Sequence, residues 1–539
     1  MRFLTILLVF VTVILNAQTG YYFAWFNNKA NNAYTLANPS AYLSSRAIQR
    51  RVSQNIAIDS LDLPVSDSYI NQIKSSGITV HAASKWLNGA IVKIENTQQY
   101  STISGFPFIK QTTYLKPLAK GTSKIDKFYQ NKNYSYGYAA NQIQMLNGDY
   151  LHNMGKHGEG MLIAVLDAGF NGVDTIGYFD SLRVQNRIIL TRDIIDGLYD
   201  TCVYESHGHG TMVLSTMAGF KNGDFVGTAP KATYALIRTE DGASEYRFEE
   251  YTWVTGAELA DSVGADVINS SLGYSVFDDS TMNYTWADLN GKTSVASKAA
   301  TICARKGMIC SISAGNYGDD LWRKIGVPAD ADSVLTVGAV DEVKNYAFFS
   351  SQGYSADGRV KPDVAAQGMN SAIVDDAGHA VSGSGTSFSS PILCGLIACL
   401  WQSIPNKNNM EMMEAIRKSA SQYTHPDSLL GYGIPDFEKA YLLLTGVKPL
   451  TCHSFIIKGI FPNPCYETCN LYYSTNTEKN IVLQMYSIDG RILLSQSITL
   501  SPSDNGKVAL SVQNMKAGFY FLKIHSDEYE MMNSFIIQP

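Results

Sequence analysis

The sequence predicts an α/β domain with a mainly parallel sheet, preceded by a small α+β unit and followed by a small all-β sandwich. Three observations carry this. Between about residues 140 and 445, short unbroken apolar runs alternate with helix-like stretches. Apolar strands joined through helices make a parallel sheet covered on both faces. After Val447 no helical period remains, and short strands are separated by turns such as Asp489-Gly490 and Ala517-Gly518, the pattern of a sandwich. Finally, 539 residues exceed what one hydrophobic core can hold, so two to four domains are expected.

Taken in order, Met1 and Arg2 precede a thirteen-residue apolar run, Phe3 to Leu15, and then Asn16, Ala17 and Gln18. One positive charge, a short apolar run and a small residue at the cut describe a secretory signal peptide over residues 1–17. Thirteen residues reach about 20 Å as a helix, short of the ~30 Å hydrocarbon core, which argues against a membrane anchor. No cysteine follows the run to accept a lipid, and no later segment is long and apolar enough to span a bilayer.

Residues 18–120 form a first unit. Within it, Ile78 to Glu95 alternates in places like a strand, and Arg46 to Gln54 suits a short basic helix. From Leu115 to Gly137 the chain turns polar and reads as a linker or processing region. The central domain, residues 121–446, supplies buried-strand runs at Met161 to Asp167, Ala232 to Arg238, Ala265 to Gly273, Gly307 to Gly315 and Ser333 to Val340. Helices are expected at Glu249 to Gly264 and at Ser294 to Gly307, the second closed by its glycine. Residues 450–539 form the sandwich.

Composition narrows the function. With 42 basic and 48 acidic residues the formal charge is -6, spread without large blocks, which argues against a nucleic-acid partner, since that would require a basic face. Export makes the eight cysteines possible disulfide partners, with connectivity open. Cys394 and Cys399 fall inside an apolar run and are expected as buried thiols. No paired C-x-x-C unit suggests a zinc ribbon, and no loop shows calcium-ligand spacing, so no metal or cofactor is assigned.

Candidate chemistry falls at strand ends, where ligands bind in parallel sheets. The stretch SGSGTSFSSP, Ser382 to Pro391, precedes an apolar run and puts Ser387 at the mouth of a buried helix. Acyl transfer by a serine needs a base, a carboxylate to orient it and donors for the oxyanion. Asp167 ends the run IAVLD; His209 lies between two glycines ahead of an apolar helix; Asn316 follows the strand ICSIS. Each alone also fits an ordinary turn, cap or core residue. Cys202, Glu205, His207 and His209 together could form a metal site, although no further ligand set is evident.

Together these stretches resemble the subtilisin-like serine proteases: D-x-G at Asp167 to Gly169, H-G-T at His209 to Thr211, S-x-G-N at Ser313 to Asn316 and G-T-S-x-x-x-P at Gly385 to Pro391. VINSSLG, Val267 to Gly273, resembles the family's substrate-lining strand, and KPDVAAQG, Lys361 to Gly368, its loop before the serine. The chain order Asp, His, Ser is that of subtilisin and differs from the α/β-hydrolases.

The resemblance implies a subtilisin-like three-layer fold and a secreted endopeptidase acting on proteins or peptides. It implies Ser387 as nucleophile, His209 as general base, Asp167 as its orienting carboxylate, Asn316 as oxyanion donor, and Ser271, Leu272 and Gly273 as substrate-binding. Ala168 stands where relatives often carry Ser or Thr, so a hydroxyl that would support the carboxylate is missing. His209 and Asn316 argue against the sedolisins, which use Glu and Asp there. The first unit resembles a propeptide, implying an inhibitor of the chain's own active site. FPNP at Phe461 to Pro464, IDGRIL and MKAGFYFLKI resemble a type IX secretion sorting domain, implying that machinery as a partner and release at or tethering to the cell surface. A catalytically inactive subtilase-fold binding protein is the alternative from another class. A serine esterase would want a G-x-S-x-G elbow, whose second glycine GTSFS lacks.

Overall fold

A computed structural model describes residues 19–118, 139–197, 200–446, 455–475, 477–513, 515–526 and 529–538. The expected signal peptide, most of the polar linker and Cys452 lie outside these residues.

The first unit is a four-stranded antiparallel sheet in the order Thr79–Ser84, Gly89–Ile94, Gly20–Phe26, Ile109–Pro117. The helices Ser45–Ser53, Asp67–Ser75 and Thr97–Gly105 accompany it. Ile78 to Glu95 is thus a hairpin rather than one strand. The polar linker starts later than its composition suggests, because Leu115 is fully buried among Phe23, Ile91 and Phe248 and holds its strand in place to Pro117.

The central sheet has seven strands, all parallel: β1 Leu162–Asp167, β2 Ile188–Asp193, β3 Thr233–Arg238, β4 Val267–Ser270, β5 Ile309–Ser313, β6 Leu335–Val340 and β7 Val364–Gln367. They lie in the order β7-β6-β5-β4-β1-β3-β2. β1 shows why such strands read as unbroken apolar runs. Ile163 and Val165 enter the core under helices α1 His209–Ala218 and α4 Thr386–Ser403. Leu162, Ala164 and Leu166 enter the opposite core, under α2 Phe248–Val263 and α3 Val295–Arg305. Alternate residues serve two cores, so every position is apolar. Three layers result, and the carboxyl ends of β1, β4 and β5 open on one edge.

The basic helix of the first unit is not a solvated face. Arg50 and Arg51 are 5% and 1% exposed and pair with Asp261 on α2. Arg51 also reaches Asp62 at 2.5 Å, and Lys85 reaches Asp261 at 3.1 Å. Glu258, one helical turn away, accepts from Ser84 Oγ at 2.5 Å and from the amides of Lys85 and Trp86 at 2.8 and 3.0 Å.

The C-terminal unit pairs a three-stranded sheet, Phe455–Phe461, Thr468–Thr475 and Ser503–Ser511, with a four-stranded one, Ile492–Leu500, Lys479–Ser487, Gly518–Ser526 and Tyr529–Ile537. Leu471, Leu483, Met485, Leu522, Ile524 and Phe535 fill its core. All seven described cysteines are thiols, and Cys394 and Cys399 are fully buried. Among the described residues, no helix is long and apolar enough to cross a membrane.

Candidate active site

Asp167 is the last residue of β1 and is fully buried. Its Oδ1 lies 2.7 Å from His209 Nδ1 and accepts the Ala168 amide at 2.8 Å. Its Oδ2 is buried with no hydrogen-bond donor among the described residues. His209 opens α1, and its two glycine neighbours are there for closeness. A Cβ at Gly208 would stand 2.4 Å from the Asp376 carboxylate, and one at Gly210 would stand 2.4 Å from Gly169 O. His207 does not gather a metal. Its Nδ1 accepts the His209 amide at 3.0 Å, while His209 Nδ1 faces Asp167.

Ser387 is the second residue of α4, and the serines around it explain SGSGTSFSSP. Pro391 sits inside the helix without an N–H, so it cannot bond back to the Ser387 carbonyl. Ser271 Oγ supplies that donor at 2.8 Å. Ser390 Oγ donates to Asn269 Oδ1 at 3.0 Å, and Ser311 Oγ to Ser390 O at 3.0 Å. Side chains at the ends of β4 and β5 thus fasten the start of the helix, and Ser387 Oγ lies 3.4 Å from Ser271 O.

Asn316 follows β5. Its Oδ1 accepts both the amide and the hydroxyl of Thr386 at 2.9 Å, so its Nδ2 must face elsewhere. A Cβ placed at Gly385 would stand 3.4 Å from Asn316 Nδ2 and 3.7 Å from Ser387 N. Glycine there leaves open the space where these two donors converge.

A cleft of about 250 Å³ brings together His209, Asn316, Ser387, Ser271, Leu272 and Gly273; Asp167 stands behind His209. Leu272 is buried in the core of α2 and α3, so at that position the backbone is what edges the cleft. The motifs did not single out several other lining residues: Glu240, Glu245, Tyr317, Asp320, Ser384 and Phe388. For Glu240 and Glu245 the glycine-containing acidic loop TEDGASE, residues 239–245, was the visible trace. Tyr274 O–H donates to Glu240. Burial, and then the charges of Glu240 and Glu249, push that phenol well above its ordinary range, so it remains a donor.

The Subtilase family model matches residues 158–433. A Peptidase S8 propeptide domain of Bacteroidota matches residues 21–132, and a secretion system C-terminal sorting domain matches residues 459–538. Among curated proteins, the thermophilic serine proteinase of Bacillus sp. (strain AK1) is 27% identical over 57% of this chain and 66% of its own length. Subtilisin DY of Bacillus licheniformis is 27% identical over 52% of this chain and 90% of its own. The human membrane-bound transcription factor site-1 protease is also 27% identical, but only 27% of its length is spanned. The crystal structure of the epidermin leader peptide processing serine protease from Staphylococcus aureus superposes with a TM-score of 0.54 at 18% identity, over 81% of this chain and all of that one. That likeness is one of fold.

Proposed function

The chain belongs to the subtilase family, carries a secretion sorting domain that marks it for export, and from that premise we propose that it is a secreted serine endopeptidase working through Ser387, His209 and Asp167. The observation that carries the reading is one cleft in which a histidine bonded to a buried carboxylate, a serine at a helix start and two converging N–H donors meet.

In this mechanism His209 Nε2 takes the proton of Ser387 Oγ as the oxygen attacks the peptide carbonyl. Asp167 Oδ1 holds the Nδ1–H tautomer in place and favours the imidazolium that forms. The negative oxygen of the tetrahedral intermediate settles in the space open above Gly385, between Asn316 Nδ2 and Ser387 N–H. The positive end of α4 adds to that stabilisation. Thr386 matters here indirectly: by occupying Asn316 Oδ1 it fixes which end of the amide faces the oxyanion. His209 then protonates the leaving amine, and water hydrolyses the acyl-serine by the same steps. The main chain at Ser271 to Gly273 lies along the cleft as an edge for an extended substrate. The N-terminal unit, docked on α2, inhibits the enzyme until it is cut, and the secretion machinery that reads the sorting domain is a partner in export.

The test is labelling of the purified chain with a fluorophosphonate, wild type beside Ser387→Ala, with the size of the chain read on the same gel. Labelling lost in the variant, with the variant held at precursor size, is expected. A folded, mature-length wild type that takes no label would overturn the reading in favour of a subtilase-fold binding protein.

A further inference from the structure

The turn between the first two strands of the C-terminal unit, residues 462–467, fastens the end of the last strand. Asn463 Oδ1 accepts the Ile536 amide, the Cys465 amide donates to Ile536 O, and the Gln538 amide donates to Cys465 O, each at 2.8 Å. Beside them the Val512 amide donates to Glu467 O, also at 2.8 Å. One short turn thus ties down the last strand, Tyr529–Ile537, and the chain just after Ser503–Ser511.

This turn and the strand it leads into carry two cysteines four positions apart, in CYETC. Cys465 lies in the turn, and Cys469 is the second residue of the strand Thr468–Thr475. Both are fully buried in the core of the sandwich, and their thiols hydrogen-bond to each other. The Cys465 thiol also donates to Ile536 O at 3.4 Å. Burial pushes both thiols up, Cys469 to about 12. Once folded, neither supplies the thiolate that disulfide exchange requires, so the pair is open to oxidation only before the sandwich closes. Cys303 and Cys310 are hydrogen-bonded as well, but they sit on α3 and β5. Their spacing is set by the packing of a helix on the sheet. The spacing of Cys465 and Cys469 is set by one turn, which can adjust to the narrow geometry of a disulfide.

We propose that Cys465 and Cys469 are joined by a disulfide in the exported protein, and that this bond locks the turn on which the final strand is fastened. The bond is made during export, where the compartment is oxidising. One cysteine thiolate attacks the disulfide of a periplasmic dithiol–disulfide oxidase and forms a mixed disulfide. The second thiolate attacks this chain's sulfur in that mixed disulfide and expels the oxidase thiolate. One S–S bond forms here and one is lost in the oxidase, which takes up the two electrons; the two thiol protons end on its dithiol. The inference rests on export and is independent of the peptidase reading.

The test uses the full Ser387→Ala chain, exported to the periplasm of a Gram-negative host, beside the same chain kept in the reducing cytosol. Each is denatured in iodoacetamide without reductant and digested with trypsin. Both cysteines fall in one peptide, residues 459–479, bounded by Lys458 and Lys479. From the periplasm this peptide is expected without alkyl groups and two hydrogens lighter than its dithiol form; from the cytosol it is expected with both cysteines alkylated. Alkylation of both in the periplasmic chain, or a link from either to Cys452, overturns the inference. Hydrogen exchange of residues 529–538 then reads the lock. Reduction in denaturant followed by refolding is expected to speed that exchange about tenfold in the exported chain, and to leave it unchanged in the Cys465→Ser, Cys469→Ser double variant. An equal acceleration in both would show that the bond does not hold the final strand.

Discussion

Helix α2 meets carboxylates at both ends, and the two groups have different surroundings. Toward its C-terminal end, Glu258 and Asp261 are sealed under the N-terminal unit: Arg50, Arg51 and Lys85 surround Asp261, while a hydroxyl and two amides satisfy Glu258. At the other end, Glu240 and Glu245 line the cleft that holds Ser387 and His209. Buried charge is kept where a partner sits opposite it, because an isolated ion in a low-dielectric interior costs several kcal/mol. In the first group the partners belong to a segment of the same chain that arrives from the propeptide-like unit. In the second, Glu240 accepts from the Tyr274 O–H at the wall of the cleft. Desolvation alone would raise the Asp261 pKa, but Lys85, Arg50 and Arg51 outweigh it and hold the carboxyl far below the ordinary range.

Removing the same charge at each end tests this contrast most directly. Asp261→Asn takes the shared counter-charge from Arg50 and Lys85 and leaves Arg51 with Asp62 alone, and is expected to cost about 3–5 kcal/mol of the docked state. Glu245→Gln, at the half-buried cleft wall, is expected to change stability by no more than about 0.5 kcal/mol. Urea titration of both variants in the uncleaved Ser387→Ala chain measures the difference. Similar, small effects at the two ends would mean that the ionic cluster under α2 contributes shape rather than binding energy.

A smaller effect distinguishes the docked interface from the cleft by pH. His81, on the propeptide-like sheet, donates from Nε2 to Ile194 O at 2.7 Å. Burial holds its pKa below the ordinary 6.5, opposed by the Ile194 carbonyl and by Asp193 and Asp196, with Lys116 lowering it further. A base with a depressed pKa contributes docking energy that is complete above pH 6.5 and is lost as the pH falls through the docked value. Asp261 acts with the opposite chemistry and only below about pH 4, so it is constant in this window. After cleavage, the N-terminal unit should leave the wild type faster at pH 5.5 than at pH 7.5, and His81→Gln should flatten that difference. Superimposable pH profiles would show that His81 does not report docking.

The sequence disclosed the parts of the molecule that depend on local pattern. β1, β3, β4, β5 and β6 were legible because a strand buried on both faces must be apolar at every position, and α3 because Gly307 closes it. The edge strand β2 was not, since Ile188 and Leu190 are only partly buried and its run is broken by Thr191 and Arg192. Asp167, His209, Asn316 and Ser387 were legible as members of motifs. The mechanical reasons for them were not: that Pro391 frees the Ser387 carbonyl for Ser271, or that Thr386 orients Asn316, depends on contacts between segments far apart in the chain. The burial of Arg50 and Arg51 was not legible in the basic helix because Asp261, which pairs with both, lies 211 and 210 residues away along the chain.

Ala168 joins the two kinds of information and carries the smallest predicted effect. The side chain that would support the Asp167 carboxylate is absent from the sequence, and in the fold Asp167 Oδ2 is buried without a donor among the described residues. An unsatisfied carboxylate oxygen is costly in a dry site, yet here Oδ1 alone aligns His209 and accepts the Ala168 amide. Ala168→Ser adds one hydroxyl beside that oxygen in a fully buried position. If the hydroxyl reaches Oδ2, the carboxylate is held more firmly and kcat rises by about two- to fivefold. If kcat falls while the thermal transition is unchanged, Oδ2 is directed at a wall the serine cannot turn toward, and the missing hydroxyl is matched to this chain's packing. The substitution therefore separates a proposed triad that lacks a support from one built to work without it, by a comparison confined to the site and independent of the charges under α2.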